Sequence, residues 1–157
     1  MIQRRQFVTA TLVVASTATI AQTVPTGKPP LLQVWKDPNC GCCGDWVQHL
    51  QDNGFLVQVI DSGNVAARKR LGMPDKLGSC HTARVGGYVI EGHVPAADIL
   101  RLLRDKPQAL GLAVPGMPIG SPGMDGPEYG GRRDPFDVLL VARGGATRVF
   151  QRHNQRS

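Results

Sequence analysis

The stretch LLQVWKDPNCGCCGDWVQHLQDN, residues 31–53, decides how the rest of the chain is interpreted. Its first five residues are mostly apolar and predict a short buried strand, which the Lys-Asp-Pro-Asn sequence ends. Residues 45–53 have helical spacing, with Trp46, Val47 and Leu50 on one face. Three of the four cysteines of the chain lie between this strand and this helix. A cysteine cluster is therefore predicted at a strand-to-helix junction.

The segments that follow continue an alternating order of elements. They predict a strand over 55–60, a helix over 64–71, a hairpin from 82–85 and 88–91, and a helix that begins at Pro95. The order strand, helix, strand, helix, hairpin, helix, with a C-x-x-C motif at the first junction, is typical of a thioredoxin-like domain. We therefore predict a single thioredoxin-like α/β domain over residues 31–157.

The C-terminal part of the chain extends beyond that minimal order. Residues 112–131 are rich in glycine and proline and contain two methionines, which predicts a segment that is neither a helix nor a central strand. Long irregular segments in compact domains are usually functional or disordered. Residues 137–142 and 146–151 predict a closing β-hairpin, so we expect the Gly/Pro/Met-rich loop to be fixed at both ends and to lie over the domain.

The N-terminal residues 1–21 have the features of an export signal. Arg4-Arg5 precede a short apolar run that ends in small residues, and the surrounding residues 3–7 also resemble a twin-arginine signal. The run is too short and too weakly apolar for a stable membrane span. We predict a signal peptide over 1–21, a linker over 22–30 and a periplasmic location; a buried N-terminal helix is the alternative.

Composition limits the partners of the domain. The formal charge of the whole chain is +6, of which the predicted signal contributes two arginines and no acidic residue, and aromatic residues make up only 5%. The interleaved basic and aromatic residues of nucleic-acid binders are missing from the sequence. The sequence also lacks a Gly-x-Ser-x-Gly elbow, a phosphate loop and a His-Glu-x-x-His motif. We expect a monomer without a nucleic-acid partner.

The cysteine cluster allows three uses. Cys40 and Cys43 have C-x-x-C spacing at a predicted helix start, where the helix dipole favours the thiolate needed by a redox nucleophile and by a soft-metal ligand. Cys42 adds a third thiol inside this pair, and a disulfide between the adjacent Cys42 and Cys43 would be strained. Several thiols in one loop favour Cu(I) or another soft ion. Thiol–disulfide exchange and a structural disulfide are the alternatives.

The fourth cysteine is followed by a histidine. In a thioredoxin-like domain, the loop before the third strand lies against the C-x-x-C motif and usually ends in a cis-proline. Ser79-Cys80-His81-Thr82 occupies that place here. We therefore expect Cys80 and His81 to reach the pocket of Cys40 and Cys43. The alternative is a disulfide from Cys80 to Cys42 or Cys40, with His81 exposed.

Methionines and further histidines complete the set of candidates. Met117 and Met124 lie among glycines and prolines rather than on a helix face, and thioethers are soft ligands for Cu(I). They predict a lid over the cysteines, with packing inside the loop as the alternative; Met73 is a weaker candidate. For His93 a turn position is favoured, and a role as a further metal ligand is the alternative. Two other histidines are expected at the surface, His49 and His153.

Four motifs in this order resemble the CopG-type periplasmic copper-resistance proteins. They are KDPNCGCCGDW at 36–46, SCHTA at 79–83, GHVP at 92–95 and GMPIGSPGM at 116–124. The resemblance covers residues 31–151. It implies a thioredoxin-like domain that binds copper through the cysteines of the C-x-C-C loop and the Cys-His loop, with a role in copper redox chemistry during resistance.

Together these observations predict an exported copper-binding protein. It would sequester Cu(I), as single ions or as a sulfur-bridged cluster, and interconvert Cu(I) and Cu(II), with copper ions and other periplasmic copper-resistance proteins as partners. The alternatives are a thiol–disulfide oxidoreductase, in which Cys40 attacks and Cys43 resolves, and a passive copper chaperone. The metal ligands are predicted among Cys40, Cys42, Cys43, Cys80, His81, Met117 and Met124.

Overall fold

The first strand and the cysteine-bearing helix follow one another directly. Strand β1, Leu31–Lys36, buries Leu32 and Val34 on one face. Helix α1, Gly41–Asp52, buries the predicted apolar face together with Cys43. This helix begins earlier than its apolar periodicity predicts, because Cys40 is its N-cap residue and the cysteines themselves form its first turn. The cysteine cluster is therefore part of a helix N-terminus rather than a separate loop.

The computed structural model describes residues 29–155. The predicted signal peptide, residues 1–21, lies outside the described residues, as does most of the predicted linker. Within the described part, no helix combines the length and the apolar character needed to cross a bilayer.

Between residues 29 and 155, seven strands form a single mixed sheet, which is accompanied by three α-helices. The spatial order of the strands is β2-β1-β3-β4-β5-β6-β7. Strands β1 and β2 are parallel, β3 is antiparallel to β1 and to β4, β4 and β5 are parallel, and β6 is antiparallel to both of its neighbours. The remaining elements are β2 Leu56–Asp61, α2 Val65–Leu71, β3 His81–Val85, β4 Tyr88–Glu91, α3 Ala96–Asp105, β5 Gly111–Ala113, β6 Phe136–Val141 and β7 Thr147–His153.

The predicted hairpins are both present. Strands β3 and β4 turn at Gly86 and Gly87, whose φ angles of 54° and 85° are those that a tight hairpin turn requires. Strands β6 and β7 form the closing hairpin, with a register shift between Val138 and Leu139. Both strands of this hairpin lie within a residue or two of their predicted limits.

The prediction that residues 112–131 contain no central strand is wrong at its first two residues. Leu112 and Ala113 belong to β5, which pairs with β4 on one side and β6 on the other. All three residues of β5 are buried, and the first proline comes only at Pro115, so the glycine- and proline-rich composition does not affect this short strand. From residue 114 to residue 135 the chain is irregular as predicted, except for a turn of 3₁₀ helix at Pro127–Tyr129.

One hydrophobic core joins the sheet to α1 and α3. It supports the cysteine end of α1 through Trp46, which is completely buried in it and lies about one turn after the completely buried Cys43. Its largest members come from β1, α1, β4, α3 and β5, namely Leu32, Trp46, Leu50, Ile90, Ile99, Leu102 and Leu112. The first turn of α1 is therefore held by close-packed side chains immediately behind it.

Replacing Gly111 by alanine should strongly destabilise the sheet. A Cβ atom at this position would lie 1.7 Å from the carbonyl oxygen of Val89, so β4 and β5 would have to separate. We expect Gly111→Ala to lower the free energy of unfolding by at least about 2 kcal/mol, since overpacking a buried site usually costs about 1–3 kcal/mol. Urea unfolding followed by circular dichroism measures this loss. Gly144→Ala is the control, because a Cβ there meets open space, and equal stability of the two variants would contradict the expectation.

Candidate metal centre

A short turn places the cysteines at the start of α1. The backbone N–H of Asn39 donates to the Asp37 carboxylate at 2.8 Å, and the backbone N–H of Cys40 donates to the Asp37 carbonyl at 3.1 Å. Asp37 therefore closes the turn between β1 and α1 through both its side chain and its backbone. As a result, all three cysteines of the cluster lie within the N-cap and the first turn of one helix.

The four cysteines converge but do not share one oxidation state. Cys40 and Cys43 form a disulfide, while Cys42 and Cys80 are free thiols. The Sγ atom of Cys42 lies 3.5 Å from that of Cys40 and 3.9 Å from that of Cys80. The alternative that Cys80 forms a disulfide with Cys42 or Cys40 is therefore wrong in this structure. All four sulfur atoms lie within 4.8 Å of one another.

Strand pairing brings Cys80 to the cluster. Cys80 directly precedes β3, whose first residue, His81, is paired with Lys36 at the end of β1. Since β1 leads into the cysteine turn, the start of β3 lies beside that turn. No cis peptide bond occurs among residues 29–155. The Ser79–Thr82 segment reaches the cluster with ordinary trans peptides.

His81 is buried rather than exposed. Its ring centroid lies 4.2 Å from that of Trp46, and its Nδ1 lies 3.4 Å from Cys80 Sγ. Burial, with a smaller contribution from the neighbouring His93, holds the pKa of His81 well below its usual range. The neutral ring therefore carries one proton. Among the described residues, its Nε2 is a buried nitrogen without a hydrogen-bond partner.

His93, for which the sequence favours a turn position over a ligand position, lies in the same pocket. It is completely buried, its Nε2 is 3.1 Å from Cys80 Sγ, and its Nδ1–H donates to the Pro122 carbonyl at 2.9 Å. Because a carbonyl only accepts, this bond places the ring proton on Nδ1 and turns the Nε2 lone pair toward Cys80. Burial also lowers the pKa of His93.

A signal for His93 existed in the hairpin. Strands β3 and β4 pair residue by residue, and the backbone N–H of Gly92 donates to the His81 carbonyl at 3.0 Å. A histidine just after β4 must therefore lie beside the residues just before β3. Extending the predicted hairpin register by two residues would have placed His93 next to Cys80 and His81.

The Cys80 thiol is not activated in the absence of metal. Burial, together with the neighbouring Cys42, raises the pKa of Cys80 to about 12. Its S–H proton faces the unprotonated Nε2 of His93 across 3.1 Å. A cation that binds here must displace this proton, which is the usual coupling between metal binding and proton release.

In the structure the Gly/Pro/Met-rich loop runs from residue 114 to residue 135, between β5 and β6, and it covers the cysteine end of α1. Gly123 has a φ of +82°, and a Cβ there would lie 2.6 Å from the carbonyl oxygen of Cys42. The next residue, Met124, is buried, and its sulfur accepts a hydrogen bond from the Tyr129 hydroxyl at 3.4 Å. Met117, by contrast, is 51% exposed. The loop thus brings the neighbourhood of Met124, rather than Met117, to the cluster.

The remaining methionine and histidines take part in the packing and hydrogen bonding of the fold. Met73 is buried with Leu77 and Val89 in a small second core and is not part of the pocket. The Nε2 atom of His49 accepts a hydrogen bond from the backbone N–H of Ala96 at 3.1 Å, at the start of α3. The ring of His153 lies 2.6 Å from the Asp98 carboxylate and stacks on Phe136. The two histidines expected at the surface are therefore both partly buried.

The donor set of the pocket suits a soft metal ion. Cys80 is shared by two groups of possible ligands, one with the other three cysteines and one with His81 and His93. Cys42 and Cys80 are free thiols, and reduction of the disulfide would add two further thiols. Thiolate sulfur favours Cu(I), and imidazole is a ligand for copper in either oxidation state. Nε2 of His81 is buried and has no hydrogen-bond partner, whereas buried polar atoms normally have one. The ring of His81 is therefore a candidate metal ligand.

This fold and this site define a mixed α/β protein with a soft-metal pocket of cysteine and histidine. Two solved structures, titled "Copper resistance protein copG- Form 1" and "Copper resistance protein copG- Form 2", are each 46% identical to the chain, with a TM-score of 0.73. Each match covers 80% of this chain and 98% of the solved one. The chain therefore belongs to the CopG family of copper resistance proteins, which confirms the resemblance seen in the motifs.

A family model described as "Protein of unknown function, DUF411" matches residues 77–124. That range contains Cys80, His81 and His93 together with both methionines of the loop. No curated protein is significantly similar to the chain.

The oxidation state of the cysteines leads to a direct test. Alkylation of the purified, unreduced protein followed by peptide mapping should find Cys42 and Cys80 modified and Cys40 linked to Cys43. After reduction and copper removal, all four cysteines should become modified. A peptide that links Cys80 to Cys42 or Cys40 would contradict the arrangement.

His49 should make the protein more sensitive to acid. Burial lowers the pKa of His49 below 6.5, although Asp125 and Asp52 oppose this. Because the folded state prefers the neutral ring, its contribution to stability is complete above the unfolded pKa of about 6.5 and is lost as the pH falls below it. We expect His49→Gln to lose less stability than the wild type between pH 7 and pH 5 in urea unfolding. Identical pH slopes for the two proteins would refute this role.

Proposed function

We propose that this chain is a periplasmic copper-binding protein that sequesters Cu(I) and thereby contributes to copper resistance. The observation that carries the proposal is a pair of free thiols, Cys42 and Cys80, whose sulfur atoms lie 3.9 Å apart. Two buried imidazoles approach the second thiol, because Nδ1 of His81 lies 3.4 Å and Nε2 of His93 lies 3.1 Å from Cys80 Sγ. These donors belong to different elements and meet only in the folded chain. The copper-resistance titles of the two related structures support the same assignment.

The fold that we propose for this role is thioredoxin-like. Its support is the order β2-β1-β3-β4, with β1 and β2 parallel and β3 antiparallel to both β1 and β4. The C-x-x-C pair begins α1, directly after β1. Strands β5 to β7 would then be additions that extend the sheet beyond β4, and the Gly/Pro/Met-rich loop would be an addition that covers the cysteine end of α1.

Each candidate ligand has a different part in copper binding. Cys42, Cys80, His81 and His93 are available as the structure stands. Cys40 and Cys43 would join them once their disulfide is reduced, and four thiolates within reach of one another can bridge several Cu(I) ions. Two thioether candidates lie outside the central set, Met124 under the loop and Met117 on its exposed part.

The mixture of thiolate and imidazole also supports interconversion of Cu(I) and Cu(II). Thiolate stabilises the soft Cu(I) ion, while imidazole accepts either oxidation state. Loss of the Cys80 proton, whose pKa is raised to about 12, would accompany binding of either ion. Oxidation of bound Cu(I) would pass one electron to an external one-electron acceptor, and reduction of Cu(II) would take one electron from an external donor, with the core of the fold unchanged.

Location and partners follow from the N-terminal signal predicted over residues 1–21. Export to the periplasm would place the site where copper enters and where disulfides persist. Copper ions and other periplasmic copper-resistance proteins are the partners that we propose. In the chaperone version of this function, the protein passes copper on to such a partner without changing its oxidation state.

The disulfide favours a second candidate function. Cys40 and Cys43 are bonded at the N-terminus of α1, which is the arrangement of a thiol–disulfide oxidoreductase. In the reduced form, the Cys40 thiolate would attack a substrate disulfide and release one substrate thiol. Cys43 would then attack the mixed disulfide, which releases the second substrate thiol and restores the Cys40–Cys43 disulfide. The free Cys42 only 3.5 Å from Cys40 would compete in that exchange, which makes copper binding the better use of the cluster.

Copper titration tests the proposal. We expect the reduced protein to bind at least one Cu(I) per chain under anaerobic conditions in competition with a chromogenic chelator. Loss of an outer hydrogen-bond partner typically costs a metal site about 10–100-fold in affinity, so Cys42→Ser and Cys80→Ser, which remove ligands, should cost more than about 100-fold. His153→Gln is the control, because His153 is bound to Asp98 away from the pocket.

Three results would redirect the assignment. Less than one tightly bound copper per wild-type chain would end the copper proposal. Insulin-disulfide reduction that survives Cys80→Ser and His81→Ala would favour the oxidoreductase. Bound copper that cannot be cycled between its two oxidation states would favour the passive chaperone.

A further inference from the structure

Ser79, the residue before Cys80, is held at every polar group that it has. Its backbone N–H donates to the Glu91 carboxylate at 2.7 Å, and its hydroxyl donates to the Gly116 carbonyl. Its own carbonyl accepts from the Arg68 guanidinium at 2.6 Å and from the Asn64 amide at 3.0 Å. The peptide that leads into Cys80 is therefore fixed by side chains from α2, from β4 and by the backbone of the covering loop.

Two of these partners form a buried ion pair. The Glu91 side chain is completely inaccessible to solvent and that of Arg68 is 11% exposed. Arg68 Nε donates to one carboxylate oxygen of Glu91 at 2.9 Å, and the Thr82 hydroxyl donates to the other at 2.6 Å. A buried pair of this kind loses much of its Coulomb energy to desolvation, so it adds little net stability compared with apolar side chains. The more distinctive effect of the ion pair is that it fixes the position of Ser79.

Two glycines near the ion pair lie in close contact with the residues of this hydrogen-bonded network. Gly78 allows the guanidinium of Arg68 to approach, because a Cβ there would lie 2.8 Å from Nη1. Gly92, at a φ of +71°, lies against both Ser79 and Val114, and a Cβ there would lie 2.7 Å from the Ser79 side chain. Close packing thus holds the loop on both sides of the hydrogen-bonded network.

We propose that the Arg68–Glu91 ion pair is a positioning element of the copper site, which fixes Ser79 so that the Cys80 thiol stands opposite Cys42 and His93. The role of these contacts in copper binding rests on the proposed function, whereas the contacts themselves do not. Neither Arg68 nor Glu91 is a candidate ligand. They act through the peptide of Ser79, in the way that outer hydrogen bonds orient the ligands of metal sites.

Arginine is required at position 68 for a geometric reason. Its planar fork reaches two acceptors at once, Glu91 through Nε and the Ser79 carbonyl through Nη2. A lysine keeps the charge but presents a single nitrogen, which cannot reproduce this planar two-point contact. Arg68→Lys therefore removes the positioning while it leaves the buried carboxylate compensated.

The test combines a copper-independent measurement with a copper titration on the full chain. In the copper-free protein, we expect Arg68→Lys to raise the iodoacetamide labelling rate of Cys80 several-fold and to leave the rate of Cys42 unchanged. We expect its Cu(I) affinity to fall by about 10–100-fold, the range typical of lost outer-sphere contacts. Arg104→Lys is the matched control, since Arg104 pairs with Asp105 on the exposed end of α3.

A second variant protects the test against a folding defect. Glu91→Gln keeps the shape of the side chain and one carbonyl acceptor, and it should show the same selective increase in Cys80 labelling. Unchanged Cys80 labelling and copper affinity in folded Arg68→Lys would overturn the proposal. Equal acceleration at Cys42 and Cys80, with a lowered unfolding midpoint, would also overturn it by showing general loosening. Selective Cys80 labelling in a protein that binds no copper, even as wild type, would support the positioning role while refuting the proposed function.

Discussion

The antiparallel pairing of β3 with β1 is the constraint on which the site depends. It places His81 opposite Lys36, and so brings the Cys80-His81 step beside the turn that carries the cysteine cluster. A register shift of one residue would turn each side chain of β3 to the other face of the sheet. The hairpin to β4 then adds His93 to the same end. The donor set is thus a product of strand register rather than of any one motif.

The buried polar groups around the pocket are nearly all satisfied by hydrogen bonds. Glu91, Thr82 and His93 are completely buried, and each has hydrogen-bond partners that satisfy it. Within the described part of the chain, the unsatisfied exceptions are Nε2 of His81 and Nε of Arg101. Natural sequences tend to leave local rules broken where function requires it. Nδ1 of His81 lies 3.4 Å from Cys80 Sγ, so the ring that carries the unsatisfied nitrogen belongs to the pocket.

Local pattern predicts much of this molecule, and the exceptions have identifiable causes. The apolar periodicity around Trp46 and the Gly86-Gly87 turn are short-range signals, so α1 and the first hairpin follow from the sequence. His93 is different, because Gly-His-Val-Pro looks like a turn, and its burial depends on the loop carbonyl of Pro122, distant in sequence. The disulfide is only partly predictable, since the C-x-x-C spacing indicates Cys40 and Cys43 as the pair but leaves open whether they form a disulfide or bind a metal.

If the proposed function holds, the disulfide sets which copper ion the site prefers. With Cys40 and Cys43 oxidised, the available donors are two sulfurs and two imidazoles, a mixture that accepts both Cu(I) and Cu(II). Reduction by two electrons and two protons gives four thiols and shifts the balance toward Cu(I). The sulfur atoms of Cys40 and Cys43 must separate from bonding distance in this change. The backbone need not move, because the core behind α1 and the hydrogen bonds to Ser79 hold it on both sides of the pocket. The same buried frame would then serve both storage and redox exchange, and the state of one disulfide would decide between them.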